Sequence, residues 1–350
     1  MSTERRPHVP SPTDRNRPYM ELPLPEYWIF LKYLNQQYID SARTLLKTAP
    51  VTQDQCLVLL GSDGKKERHA QSKTDLAIIQ RAGSDSCLTP AGLMEWFDGT
   101  HIENFVDIFD LQLHEEPEVK EVGNPDLYLS DAYPYKYTGV NRRIYPDRAL
   151  NTVFILGNEA VHLEARGQVL KEMTENHKRS RTIRRELVKQ LKSYRKTMET
   201  GLYRDRPTFT VMPPVQYYDE DLEVYSTGFK IGFLRTVQRF LDVATVVGIR
   251  EGFFTIDEAV EDLPTSCPEK IQFLAGRGLF PDGMQTENAI DAYLWFLQQY
   301  HFAQELYKNE RTPIALPFNV EDFSAYAGIL EKFTANGYYT RSKNFLRNGH

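Results

Sequence analysis

Gly61-Ser62-Asp63-Gly64 lies between two apolar runs and is followed at once by Lys65, Lys66 and Arg68. Small residues leave backbone N–H groups open to close approach, and the bases behind them add positive charge. That pairing suits a bound phosphate. Asp75 opens the second apolar run, and Asp107 sits inside Phe105-Val106-Asp107-Ile108-Phe109. Carboxylates beside a phosphate turn point to metal-bound phosphates, since hard cations take oxygen ligands. Asp107 has a second reading of similar weight, an acid at a strand end in contact with water.

Regular elements must position these residues. Leu57-Val58-Leu59-Leu60 is a short continuous apolar run, as expected of a strand buried on both faces, and Asp75 to Ile79 returns as a second strand. Glu26 to Thr48 carries a helical rhythm of Trp28, Ile29, Leu31, Leu34, Tyr38, Ala42 and Leu45. Pro90 to Phe97 reads as a short helix and Ile102 to Leu113 as one or two strands. His114 to Asp147 is rich in loop signals and holds Tyr128, Tyr133, Tyr135, Tyr137 and Tyr145. Those rings could stack a base, though anchoring an irregular segment to the core is the plainer reading. From Glu159 the pattern is helical. His177 to Lys196 holds nine Lys and Arg against Glu186 alone, with Ile183, Leu187 and Leu191 marking a core face. A cleft lining and a solvated face weigh equally there. Tyr203 to Tyr225 reads as a connection. Amphipathic segments follow at 237–249, 256–263, 269–276, 287–308 and 320–336, which suggests an antiparallel bundle.

The stretch Gly61-Ser62-Asp63-Gly64-Lys65-Lys66-Glu67, followed by Ser72 and then Asp75-Leu76-Ala77-Ile78-Ile79, resembles the nucleotidyltransferase superfamily. The branch it is most similar to is that of the PII-uridylyltransferase-like proteins. The resemblance implies an α+β fold: a polymerase-beta-like mixed-sheet domain at 23–158 and an antiparallel helical bundle domain at 159–345; residues 1–22, polar and rich in Pro and Arg, read as a disordered tail. It implies that Gly61, Ser62, Gly64, Lys65, Glu67 and Ser72 form the nucleotide and phosphate side. An acid pair on the following strand would bind two magnesium ions. Asp75 matches the second of that pair, and Lys73 occupies the place of the first. Asn151, in Asn151-Thr152-Val153-Phe154-Ile155-Leu156-Gly157-Asn158, falls where a third carboxylate belongs; Val153 and Asn158 replace an arginine and an acid. Asp107 is the competing candidate. Ser226 to Arg235 is similar to the segment opening the family's substrate-side helices, and Lys230 matches a lysine facing the cleft.

The ammonium at position 73 matters physically. Two-metal phosphoryl transfer needs several anionic oxygens. At an effective dielectric of 20, unit charges 4 Å apart interact by roughly 4 kcal/mol, and a dication feels about twice that.

Composition narrows the remaining classes. The chain has 350 residues, 41% of them hydrophobic and 26% charged, with a net charge of −6. That length suits two domains, and that charge does not mark the whole molecule as a nucleic-acid binder. Cys56, Cys87 and Cys267 are too widely spaced for a zinc site and suit buried free thiols in a reducing compartment. No membrane span or signal-peptide core is visible, so a cytoplasmic location is expected; export by a signal-independent route would look the same.

Three functions follow from these readings. The first in rank is a degenerate member, a pseudoenzyme binding nucleotide or a protein partner without chemistry. Close behind is an active enzyme transferring a nucleoside monophosphate from NTP to a protein or small molecule. In it Asp75 and Asp107 hold Mg²⁺ or Mn²⁺, and Lys73 stands in for one cation. The remote third is a binder of nucleic acid or an acidic partner through the basic helix.

Overall fold

The computed structural model describes residues 22–68, 74–82, 88–99, 118–122, 129–130, 143–144, 150–175, 178–199, 208–211, 232–280, 285–310, 314–317 and 320–335. Its fold is mixed α+β and mostly helical. In chain order, α1 (Leu24–Leu46) leads to β1 (Gln55–Leu59), a single helical turn α2 (Gly61–Gly64), β2 (Leu76–Arg81) and α3 (Pro90–Gly99). Then come β3 (Glu118–Val122), β4 (Leu129–Ser130), β5 (Arg143–Ile144), β6 (Val153–Gly157), α4 (Glu159–Thr174) and α5 (Lys178–Glu199). After β7 (Thr208–Val211) the chain forms α6 (Arg235–Glu251), α7 (Ile256–Asp262), α8 (Cys267–Gly276), α9 (Thr286–Glu310), β8 (Ile314–Pro317) and α10 (Val320–Ala335).

Four strands form the main sheet in the order β3-β2-β1-β6. β1 is antiparallel to both β2 and β6, with Leu57 opposite Ile78, and β3 joins β2 in parallel. The sheet is therefore mixed, as expected. Its two-residue period divides the interior. Cys56, Val58, Ala77 and Ile79 belong to one apolar cluster; Leu57, Leu59, Leu76 and Ile78 belong to the other. Both faces are covered, which explains why the β1 sequence is continuously apolar rather than alternating.

The covering helices are legible in the sequence. α1 serves both faces along its length, with Tyr27 and Leu31 in the first cluster and Tyr38, Ile39, Ala42 and Leu46 in the second. α4 packs against β1, β2 and β3 with Val161, Ala165 and Val169 in the first cluster. That cluster runs on without interruption into α5, α6, α8, α9 and α10. Aromatic rings fill its far end: Phe233 stacks on Phe296 with centroids 4.1 Å apart, and Phe323 meets Phe233 edge-on. Helix ends follow sequence logic. Gly252 ends α6 at φ 78°, and Thr255 with Glu258 closes a capping box on α7.

β3, β4 and β5 lie within His114–Asp147, which the sequence marks as loop-rich, and a further pairing was not expected either. β7 and β8 pair as a two-stranded antiparallel ribbon, inside the stretch read as a connection and in the gap before α10. Its partners are more than a hundred residues apart, so no local hairpin signal announces it.

Candidate functional site

β1 delivers the chain into α2, and the turn is tied back to β2 by the Leu60 amide donating to the Asp75 carbonyl at 2.8 Å. Both glycines at this turn answer to neighbours within the protein. Gly61 has φ +60°, and a Cβ there would collide with Asp75 Oδ2. A Cβ on Gly64 would collide with the Asn151 carbonyl and lie 2.9 Å from the Leu59 carbonyl. Gly64 thus lets two backbone segments touch.

Most of the charged residues after the turn point inward. Arg68 donates to Asp63 Oδ1 at 2.7 Å, and the two side chains are 0% and 1% exposed. Its guanidinium also lies over the Tyr38 ring, 3.8 Å from the centroid. Asp63 Oδ2 accepts from the Asp75 amide at 3.4 Å, so this carboxylate links turn and strand. Burial raises the Asp63 carboxyl to about 7, while Arg68 opposes the rise. Lys65 Nζ donates to Gln238 Oε1 on α6 at 3.2 Å. The sequence assigned Lys65 to phosphate; here its charge is directed at α6.

Glu67 makes the tightest link between the turn and the helices. Its Oε1 accepts from Tyr293 Oη at 2.9 Å and from the Cys267 amide at 3.2 Å, and its Oε2 accepts from Gln238 Nε2 at 3.4 Å. Ser266, the N-cap of α8, makes no side-chain capping bond, so the Glu67 carboxylate meets the helix's positive end instead. The Glu67 carbonyl accepts from His301 Nε2 at 3.0 Å, and His301 Nδ1 faces Tyr27 Oη at 2.8 Å. A carbonyl can only accept, so the proton sits on Nε2 and Nδ1 takes the Tyr27 hydrogen. Burial pushes His301 down to about 3. It also drives the Cys267 thiol and Tyr293 hydroxyl well above their ordinary values, with Glu67 adding to the rise in both.

Asn151, aligned above with a third carboxylate, is 4% exposed, and its Oδ1 accepts from Lys270 Nζ on α8 at 2.6 Å. A buried ammonium thus stands beside a neutral amide where the resemblance expects metal beside an acid. Val153 begins β6 opposite Leu59, and Asn158 caps α4 by accepting from the Ala160 amide at 3.0 Å. Behind them, Thr152 Oγ1 bonds His162 Nε2 at 2.7 Å, and burial pushes His162 down to about 4.

Three groups remain outward. Ser62, Lys66 and Asp75 are half-buried, and their side chains have no hydrogen-bonding or ionic partner among the described residues. Lys73, Ser72, Asp107 and Lys230 lie outside the described residues, as do the loop tyrosines and Cys87. Cys56 and Cys267 are buried free thiols. Among the described residues no group of three or more His, Cys, Asp or Glu is arranged to hold a metal ion. Asp63 is paired to Arg68 and Asn151 to Lys270, so the described donors fit a two-cation site poorly.

The basic helix α5 divides in two. Arg184 is 2% exposed and donates to the Met173 and Glu175 carbonyls at the end of α4, so it serves neither a cleft nor a solvated face. Burial lowers its guanidinium to about 10, with Arg250 and Arg181 adding to the effect. Lys178, Arg181, Arg185, Lys189, Lys192 and Lys196 are exposed. No described helix is long and apolar enough to cross a membrane.

Sequence reasoning missed Gln238, Lys270, Tyr293 and His301, and it read Asp63 and Arg68 as parts of a phosphate turn rather than as a buried pair. For the Asp63–Arg68 pair the one signal was an acid five residues before an arginine. The others lie on helices distant in sequence and carry no motif. The chain matches no protein-family model, and none of the curated proteins matches its sequence.

Proposed function

We propose that this is a nucleotidyltransferase-like protein, similar to the PII-uridylyltransferase-like branch, that binds nucleotide without efficient transfer chemistry. One observation carries the reading: two of the three positions where that family places metal-binding acids, 73 and 151, are no longer acids. Position 73 is a lysine and position 151 an asparagine whose oxygen is already taken by Lys270 Nζ at 2.6 Å. Efficient two-metal transfer needs anionic oxygens at those positions. The strand-turn-strand unit, with Ser62 on the turn and the Asp75 carboxylate against Gly61, supports retention of a phosphate-binding function.

The second reading, an active enzyme, draws on one feature. Asp75 keeps a half-exposed carboxylate with no ion-pair partner among the described residues. In that case Asp75 and Asp107 hold Mg²⁺ or Mn²⁺ and present the NTP.

A thermal-shift titration with each NTP, with and without Mg²⁺ or Mn²⁺, separates the two when run beside a labelled NMP-transfer assay. Ligand at a hundred times its Kd stabilises a fold by about 2.7 kcal/mol. Stabilisation without label transfer is expected. Metal-dependent transfer abolished by Asp75→Ala would establish the enzyme instead, and no response to any NTP would remove the nucleotide reading.

A further inference from the structure

We infer that Lys66 is the residue that anchors a phosphate-bearing anion at this turn, a role resting on the nucleotide reading above. Among the described residues Lys66 is the one non-glycine residue with positive φ, at 55°. L-residues other than Asn and Asp enter that region at a cost, and Gly or Asn would hold the same turn more cheaply. Its backbone amide donates to the Asp63 carbonyl at 3.0 Å, a bond that glycine or asparagine would make equally well. What distinguishes lysine is therefore its side chain.

Within the protein that side chain gains little. Lys66 is half-buried and has no hydrogen-bonding or ionic partner among the described residues. Its two basic neighbours behave otherwise: Lys65 is directed at Gln238 and Arg68 at Asp63. Of the three cations after the turn, Lys66 alone is left for an external partner. Ser62 on the same turn, and Asp75, whose carboxylate lies against Gly61, are likewise without side-chain partners among the described residues. A strained residue whose side chain is idle in the free protein has its use in the complex. The chemistry that a half-exposed, unpaired ammonium on a small-residue turn recognises is a phosphate group. The shared ligand chemistry is a polyphosphate chain, free or as part of a nucleotide.

The test uses the full-length protein and four forms: wild type, Lys66→Arg, Lys66→Asn and Lys66→Gly. Sodium tripolyphosphate without metal, and each NTP with Mg²⁺, are titrated by calorimetry, and the ligand-free Tm is recorded for each form. Wild type and Lys66→Arg should bind alike. Lys66→Asn and Lys66→Gly should bind at least about tenfold more weakly, the loss expected of one charge-assisted hydrogen bond. Their ligand-free Tm should equal or exceed wild type, because both residues tolerate positive φ. Equal weakening toward tripolyphosphate and NTP places the contact on the phosphates. Wild type binding NTP but not tripolyphosphate overturns the phosphate assignment. Undiminished binding by Lys66→Asn and Lys66→Gly overturns the role of Lys66 and leaves the nucleotide reading standing. Wild type that binds neither ligand overturns both.

Discussion

Removing either partner of the Asp63–Arg68 pair should reveal how strongly the turn depends on internal charge. Both side chains are out of contact with water, at 1% and 0% exposure, and their atoms are 2.7 Å apart. Asp63→Ala strands a guanidinium that cannot lose its proton, and breaking a buried pair in this way costs about 3–5 kcal/mol. For 350 residues, at roughly 2.1 cal/mol/K each, a loss of about 4 kcal/mol lowers Tm by about 5–6 °C. Arg68→Met should behave differently. Asp63 can accept a proton, and its carboxyl is already raised to about 7 by burial. A carboxyl whose folded pKa is raised loses stability as pH rises through the window from about 4 to 7. Arg68→Met should therefore be milder at pH 5.5 than at pH 8, whereas Asp63→Ala removes the titrating carboxyl itself, so its penalty should shrink as pH rises through the same window. Urea melts of wild type, both single variants and the double variant at the two pH values form a double-mutant cycle. The double variant should be less damaged than the sum of the singles by about 2–3 kcal/mol. Additive single effects at both pH values would refute the pair as a coupled buried unit.

Three further outcomes follow from the geometry. Gly64→Ala should destabilise by about 2 kcal/mol or more, because the new Cβ meets two backbone carbonyls that cannot swing away; an unchanged urea midpoint would contradict this. Glu67→Gln should cost about 2–4 kcal/mol, since an amide NH₂ would face donors now satisfied by a carboxylate; a melt within error of wild type would show the network to be incidental. Acid should weaken the fold between about pH 6.5 and 4. His162, at about 4, and His301, at about 3, are held neutral when folded and charge when unfolded. Depressed histidines give stability that is complete above about pH 6.5 and is lost as pH falls; the raised Asp63 opposes them with one proton. His162→Gln should remove about one proton from the pH slope of stability, measured by urea melts from pH 4.5 to 7, and an identical slope would reject the assignment.

The sequence alone determined the elements around the site. β1 and β2 are marked by short apolar runs, α1 by its helical rhythm, and the Gly61–Gly64 turn by residues that few other structures tolerate. These are local signals: backbone conformation and one-face burial depend on residues within a few positions, so periodicity and turn chemistry record them. The same reasoning assigned Gly64, Lys65 and Glu67 to a ligand, because residue type shows charge and freedom but not direction. Direction was decided by tertiary structure. α6, α8 and α9 bring Gln238, Lys270, Cys267 and Tyr293 against the turn from the far half of the chain. Once water is excluded there, every buried charge must find an internal partner, and it took whichever group the packing supplied. Lys65, Glu67 and Arg68 were claimed in this way, and Ser62, Lys66 and Asp75 were left without side-chain partners among the described residues.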